Sequence, residues 1–148
     1  MRARMVENDF MANLKAKVIQ THSEVKHHMW TIKWRKAELT RDVEGVGRQD
    51  PYLVVKCGEK YFKTHTHSEG GKTPVWNRTM DLILTDLNVE MTIDVMDADP
   101  KEDDKIGSSK FIVKDFVKEG TNDQEIRVTW QDKDIGKIMV TSTFERDV

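Results

Sequence analysis

The sequence predicts an all-β domain of about eight antiparallel strands, a sandwich or a barrel, preceded by an N-terminal amphipathic helix. Three observations carry that expectation. Beyond about Trp30, apolar residues alternate with polar ones at a period of two, as in strands with one buried face. Runs of this kind follow one another at short intervals, separated by turn-forming residues. No helix long enough for a parallel crossover lies between them, so neighbouring strands are expected to run antiparallel. A chain of 148 residues can build one such core but not a second large domain.

The first element is read over residues 7–29. Phe10, Leu14, Val18, Val25 and Met29 recur at helical spacing, Thr21 fills the one gap, and no Gly or Pro interrupts them. Asn8 or Asp9 would cap its start. Glu7, Asp9 and Glu24 dilute the basic face that a membrane-lying helix needs, so the stripe is expected to pack on the chain's own body or on a protein partner. The expected division is a helical extension over 1–29 and a sandwich over 30–148.

Trp30, Ile32 and Trp34 open the sandwich. Residues 52–57 are a β-rich run, 61–66 are rich in aromatic residues and threonine, and Trp76, Met80, Leu82 and Leu84 largely alternate. Val89, Met91, Ile93 and Val95 alternate cleanly. The last three strands are read at 110–113, at Ile126, Val128 and Trp130, and at Ile138, Val140 and Phe144. The inward-facing set is Ile32, Trp34, Leu53, Val55, Trp76, Leu82, Met91, Ile93, Val95, Val128, Val140 and Phe144. Turns fall at Gly70-Gly71, at 85–88 with Asn88, and over a polar connection at 132–136, while 114–119 is expected to form a short helical turn.

Composition narrows the function. Net charge is -2, split between a basic leader, eight Lys/Arg against three Asp/Glu over residues 1–36, and an acidic remainder. That balance argues against a nucleic-acid binder, which needs a clustered cationic face. No apolar run reaches membrane-spanning length and the first residues do not read as a secretory signal. The one cysteine, Cys57, can form neither an internal disulfide nor a zinc cluster, which points to an intracellular, cytoplasmic location. No set of nucleophile, base and oxyanion donor suggests an enzyme.

The chemistry lies in acidic loops. One cluster holds Asp42, Glu44 and Asp50; the other holds Asp97, Asp99, Glu102, Asp103 and Asp104, directly after the Val89 to Met96 run. If both lie at one end of a sandwich, their repulsion calls for a hard cation, and calcium suits a flexible cage of carboxylate oxygens better than magnesium. On an extended segment Asp97 and Asp99 point the same way while Ala98 turns aside. A solvated acidic surface is the competing reading. A helix-loop-helix calcium loop starting at Asp97 fails, because Glu102 stands where the turn glycine belongs and Ser108 where the bidentate glutamate belongs. Asp97-Ala98-Asp99 also matches the metal-binding motif of nucleotide-sugar transferases, but those enzymes need an α/β body that this chain has no helices to build. His65 and His67 could chelate zinc from one strand face, although no third ligand is evident.

Asp50-Pro51-Tyr52-Leu53-Val54-Val55, Lys72-Thr73-Pro74-Val75-Trp76-Asn77, Val95-Met96-Asp97-Ala98-Asp99 running on to Asp104-Lys105-Ile106-Gly107, and Gly136 to Phe144 together resemble the ordered signatures of C2 domains. The resemblance covers about four fifths of the chain. It implies an eight-stranded antiparallel sandwich whose aspartate-lined loops bind calcium and then engage anionic phospholipid headgroups. By the same resemblance Asp42, Asp50, Asp97, Asp99 and Asp104 are the expected ligands, with Asp103 the alternate to Asp104. The interval from Asp42 to Asp50 is longer than the family pattern, and that from Asp97 to Gly107 is shorter. Val43, Val46, Arg48 and Lys101 fall at the loop tips expected to meet lipid, and Lys56, Lys60 and Lys63 where some members carry a phosphoinositide patch. The implied function is calcium-dependent peripheral binding to anionic membranes. The alternative is an accessory subunit docked into a larger assembly by Phe10, Leu14, Val18, Val25 and Met29, with a calcium end that is vestigial or purely structural.

Overall fold

A computed structural model describes residues 27–45 and 47–146. They form β1 (His28–Leu39), β2 (Pro51–Cys57), β3 (Lys60–Lys63), β4 (Val75–Leu84), β5 (Glu90–Asp97), β6 (Asp104–Ile112), one helical turn (Val113–Phe116), β7 (Gly120–Trp130) and β8 (Lys133–Glu145). Every pairing is antiparallel, in the spatial order β3-β2-β5-β6-β7-β8-β1-β4.

Alternation does the folding work. β1 buries Trp30, Ile32 and Trp34, β5 buries Met91, Ile93 and Val95, and their neighbours along each strand face outward or remain partly exposed. The long ladder cannot lie flat, because β6 and β7 share only the pairing of Ser108 with Thr129. At that seam it turns over, so that β3-β2-β5-β6 faces β7-β8-β1-β4 and one cluster joins residues of both halves. Gly107 permits the turn: a Cβ there would stand 2.8 Å from both Ile135 Cδ1 and Val128 Cγ1. All twelve residues expected to face inward are buried.

Three boundaries differ from expectation. Met29 belongs to β1 rather than to a helix, since its backbone lies between Ile83 of β4 and Glu145 of β8; two flanking ladders outweigh the helical spacing of its side chain. Phe10, Leu14, Val18 and Val25, on which the rest of the helix rests, lie outside the described residues. β6 begins at Asp104, well before the expected 110, because its first half has Lys105, Gly107 and Ser108 at positions where strand propensity is weak and pairing with β5 decides the conformation. The β7–β8 connection is only Gln131 and Asp132, both at positive φ (53° and 64°), a tight two-residue hairpin that draws residues 133–136 into β8.

Gly136 lies between Leu39 of β1 and Val128 of β7, at φ 144°. A Cβ on it would come 2.1 Å from the Glu38 carbonyl oxygen, which is backbone and cannot turn aside. Gly136→Ala is therefore expected to lower the unfolding free energy by more than about 3 kcal/mol, the upper range for one substitution. Urea denaturation of the two proteins checks this, with a loss under about 1 kcal/mol contradicting the close approach.

Candidate metal centre

Three adjacent strands deliver their ends to one place. Pro51 opposes Asp97, and Asp97 opposes Asp104, so Asp50, Asp97 and Asp104 lie side by side at the ends of β2, β5 and β6. Asp97 continues the inward row of Met91, Ile93 and Val95 and is 0% exposed. Its Oδ1 accepts the Asp50 backbone N–H at 2.6 Å. Its Oδ2 is buried and no donor among the described residues reaches it. An orphaned buried carboxylate oxygen is costly, and a cation is the partner that suits it.

The β1–β2 loop closes over this point. Gln49, wholly buried, donates from Nε2 to the carbonyls of Arg41 (3.0 Å) and Gly71 (2.9 Å) and accepts the Val43 N–H on Oε1 at 3.0 Å. Arg41 donates to the carbonyls of Lys105 and Ile106 and lies 4.1 Å from the Trp130 ring centroid, which ties the start of the loop to β6 and β7. The Trp76 indole N–H donates to the Pro51 carbonyl at 3.1 Å and steadies the other end. So held, the loop brings Glu44 to the aspartates: ligand oxygens of Glu44, Asp50 and Asp97 all lie within 4.8 Å of one another.

Electrostatics registers the crowding. Burial pushes the Asp97 carboxyl up from its ordinary value, against the Asp50 N–H bond that lowers it, and Asp50, Asp104 and Asp99 push it further. The Asp97 charge is the chief cause of the raised Glu44 carboxyl, with Asp99, Asp50 and Asp104 adding to it. Asp99 and Asp104 thus border the same point. Asp103 moves the opposite way, lowered first by the Tyr52 hydroxyl, then by the Asp99 N–H and by Lys63.

Of the expected ligands, Asp50 and Asp97 come together, with Asp99 and Asp104 beside them. Asp42 is exposed and accepts the Glu44 N–H on Oδ1 at 2.9 Å, and it is Glu44 whose carboxylate stands with those of Asp50 and Asp97. Asp103 has both oxygens engaged, Oδ2 by the Tyr52 hydroxyl and Oδ1 by the Asp99 N–H at 3.0 Å. Val43 is half-buried against the core rather than held out at a tip, because its N–H is fastened to Gln49. Arg48 and Lys101 are exposed, and Val46 lies outside the described residues. Lys56 and Lys63 share the outer face of β2 and β3 with their partners Tyr61 and Val54, whereas Lys60 opposes buried Cys57. His65 and His67 part company: His67 Nδ1 accepts the Val75 N–H, and His65 faces Arg78.

A family model described as C2 domain matches residues 28–132. The chain belongs to the C2 domain family. It is 34% identical to Protein C2-DOMAIN ABA-RELATED 4 of Arabidopsis thaliana over 76 residues, which are 51% of this chain and 42% of that protein. It is 32% identical over 78 residues to the Calcium-dependent lipid-binding protein of the same plant, covering 51% of this chain and 15% of that one. The chain thus spans half or less of the length of these curated relatives. Among solved structures, a C2 domain of plant Extended Synaptotagmin 1 superposes with a TM-score of 0.70 at 20% identity, over 82% of this chain and 95% of that one, which shows a shared fold. C2 domains are typically non-catalytic modules. Among the described residues no helix is long and apolar enough to cross a membrane.

The raised carboxyls fix a direction for pH. Between the ordinary carboxylate value and the raised one the folded chain holds more protons than the unfolded chain, so in chelator Asp97 and Glu44 make stability rise as pH falls from neutral through that window. Asp103 and Asp134, held low, act oppositely: their contribution is present above the ordinary value and is lost as pH falls through the lowered one. Asp97→Asn keeps an acceptor for the Asp50 N–H and puts an amide donor where Oδ2 stands. In chelator at neutral pH it should be more stable than the parent by about 1–2 kcal/mol, a margin that shrinks toward pH ~4. Urea titrations across that range check both the sign and the shrinkage.

Proposed function

We propose that this C2 domain binds calcium between its β1–β2 and β5–β6 loops and thereby docks peripherally on anionic phospholipid membrane. The observation that carries the reading is Asp97: fully buried, one oxygen tied to Asp50, the other without a donor among the described residues, and carboxylate oxygens of Glu44 and Asp50 close by. Glu44, Asp50, Asp97, Asp99 and Asp104 would hold the ion. Bound calcium supplies positive charge that these oxygens share, and it can accept further oxygens from lipid phosphate. The name of the Calcium-dependent lipid-binding protein points the same way.

Charge explains why the switch would depend on the cation. Residues 41–50 and 97–105 contain Asp42, Glu44, Asp50, Asp97, Asp99, Glu102, Asp103 and Asp104 against Arg41, Arg48, Lys101 and Lys105. Without cations an anionic membrane repels this end of the molecule. Two calcium ions would cancel the excess and leave exposed Arg48 and Lys101 to meet headgroups. With Val43 packed inward, contact would be at the headgroup level, not deep in the acyl region.

Calorimetry and liposome sedimentation test the reading. Calcium at a hundredfold excess over Kd should stabilise the fold by about 2.7 kcal/mol. Chelator should release the protein from phosphatidylserine vesicles. Glu44→Gln is expected to weaken calcium about tenfold or more, as Asp50→Asn does, while Asp42→Asn stays within about threefold of the parent. Absence of binding heat and of stabilisation at millimolar calcium, together with chelator-insensitive vesicle binding, would overturn it.

A further inference from the structure

We infer that Tyr52 is a positioning residue for the cation loop, acting through Asp103 to hold Asp99 and Asp104 where the ion needs them; this rests on the calcium reading above. Tyr52 stands on β2 opposite Met96 of β5, on the outer face of the sheet, yet it is only 6% exposed. Lys63 covers its ring, with Nζ 4.8 Å from the centroid. Its hydroxyl crosses β5 and donates to Asp103 Oδ2.

Asp103 passes the constraint on. Its second oxygen accepts the backbone N–H of Asp99 at 3.0 Å, and Asp99 Oδ1 accepts the N–H of Lys101, also at 3.0 Å. The loop from 99 to 103 is thereby closed on itself and tied by a side chain to β2 as well as by the chain to β5 and β6. Asp99 and Asp104 flank that fastened segment, Asp99 at its start and Asp104 immediately after it, paired with Asp97. Without the hydroxyl the chain on either side stays in β5 and β6, but Asp103, and with it the bond to the Asp99 N–H, loses its tie to β2. Both Asp103 oxygens already accept a hydrogen bond, one from β2 and one from the loop, which gives it a bridging place that Asp99 and Asp104 do not have.

Preorganisation of this kind acts on affinity by sparing the ordering that binding otherwise requires. Tyr52→Phe keeps the ring and its packing and removes only the donor. The exposed Asp103→Ala removes the other end and needs no core rearrangement, so it serves if the first variant folds poorly. In the full chain each single variant should weaken calcium about tenfold by calorimetry, the scale of one hydrogen bond to a charged group. The double variant should be no weaker than Asp103→Ala alone, because Tyr52 is proposed to act through Asp103; packing of the ring would instead make the two losses add. In chelator, NMR amide exchange at Asp99 should speed up several-fold in both single variants. That measurement needs no cation, so it decides the attachment even if the parent binds no calcium and the reading above fails. Unchanged exchange at Asp99 in Tyr52→Phe, or additive losses of affinity, would overturn the inference.

Discussion

A buried carboxylate with half of its hydrogen-bonding capacity unused organises this end of the molecule. Asp97 is the last residue of an apolar row on the central strand β5, so the pleat that buries Met91, Ile93 and Val95 buries it as well. The β2 strand answers one oxygen through the Asp50 amide. Gln49, Arg41 and Trp76 then fasten the surrounding loops so that further carboxylates gather around the other. Like charges brought together without a counter-ion oppose folding, and packing beneath them holds the arrangement. The sandwich spends stability at one end to keep these carboxylates close together.

Most of the sheet was legible because its physics is local. A period of two marks β1, β4, β5, β7 and β8, and a strand with one buried face can put only one set of side chains inward. β6 was legible only in part, since Lys105, Gly107 and Ser108 carry weak strand preference and owe their conformation to the ladder with β5. Met29 shows the converse: a side chain at helical spacing sits in a strand because two neighbours pair with its backbone, and such partners are distant in the chain.

The site was legible in kind more than in detail. Asp50 and Asp97 sit at strand ends, where register brings them together, and a motif can mark such places. Glu44 was visible among the acids, but its place beside Asp50 and Asp97 depends on how the β1–β2 loop is folded back. Gln49 carried no signal, since a glutamine in a polar loop looks like surface. Its role follows from three backbone partners on two segments, the β1–β2 loop and the one that carries Gly71, which only the folded chain assembles. The family pattern set Asp104 before Asp103, but nothing in it marks the bond from Asp103 to a tyrosine two strands away.

The place of β1 in the sheet sets when the domain can form during synthesis. β1 is the first strand of the sandwich, yet it lies between β4 and β8, with Met29 beside Glu145. A ribosome emits the two partners of β1 at widely separated times, and one flank of a tryptophan-bearing strand waits until the final strand has emerged. Until then that flank is open to pairing with any other nascent chain. The described chain's two ends then leave from the same corner, so a host polypeptide could carry the domain as a closed insertion with little displacement of its own backbone.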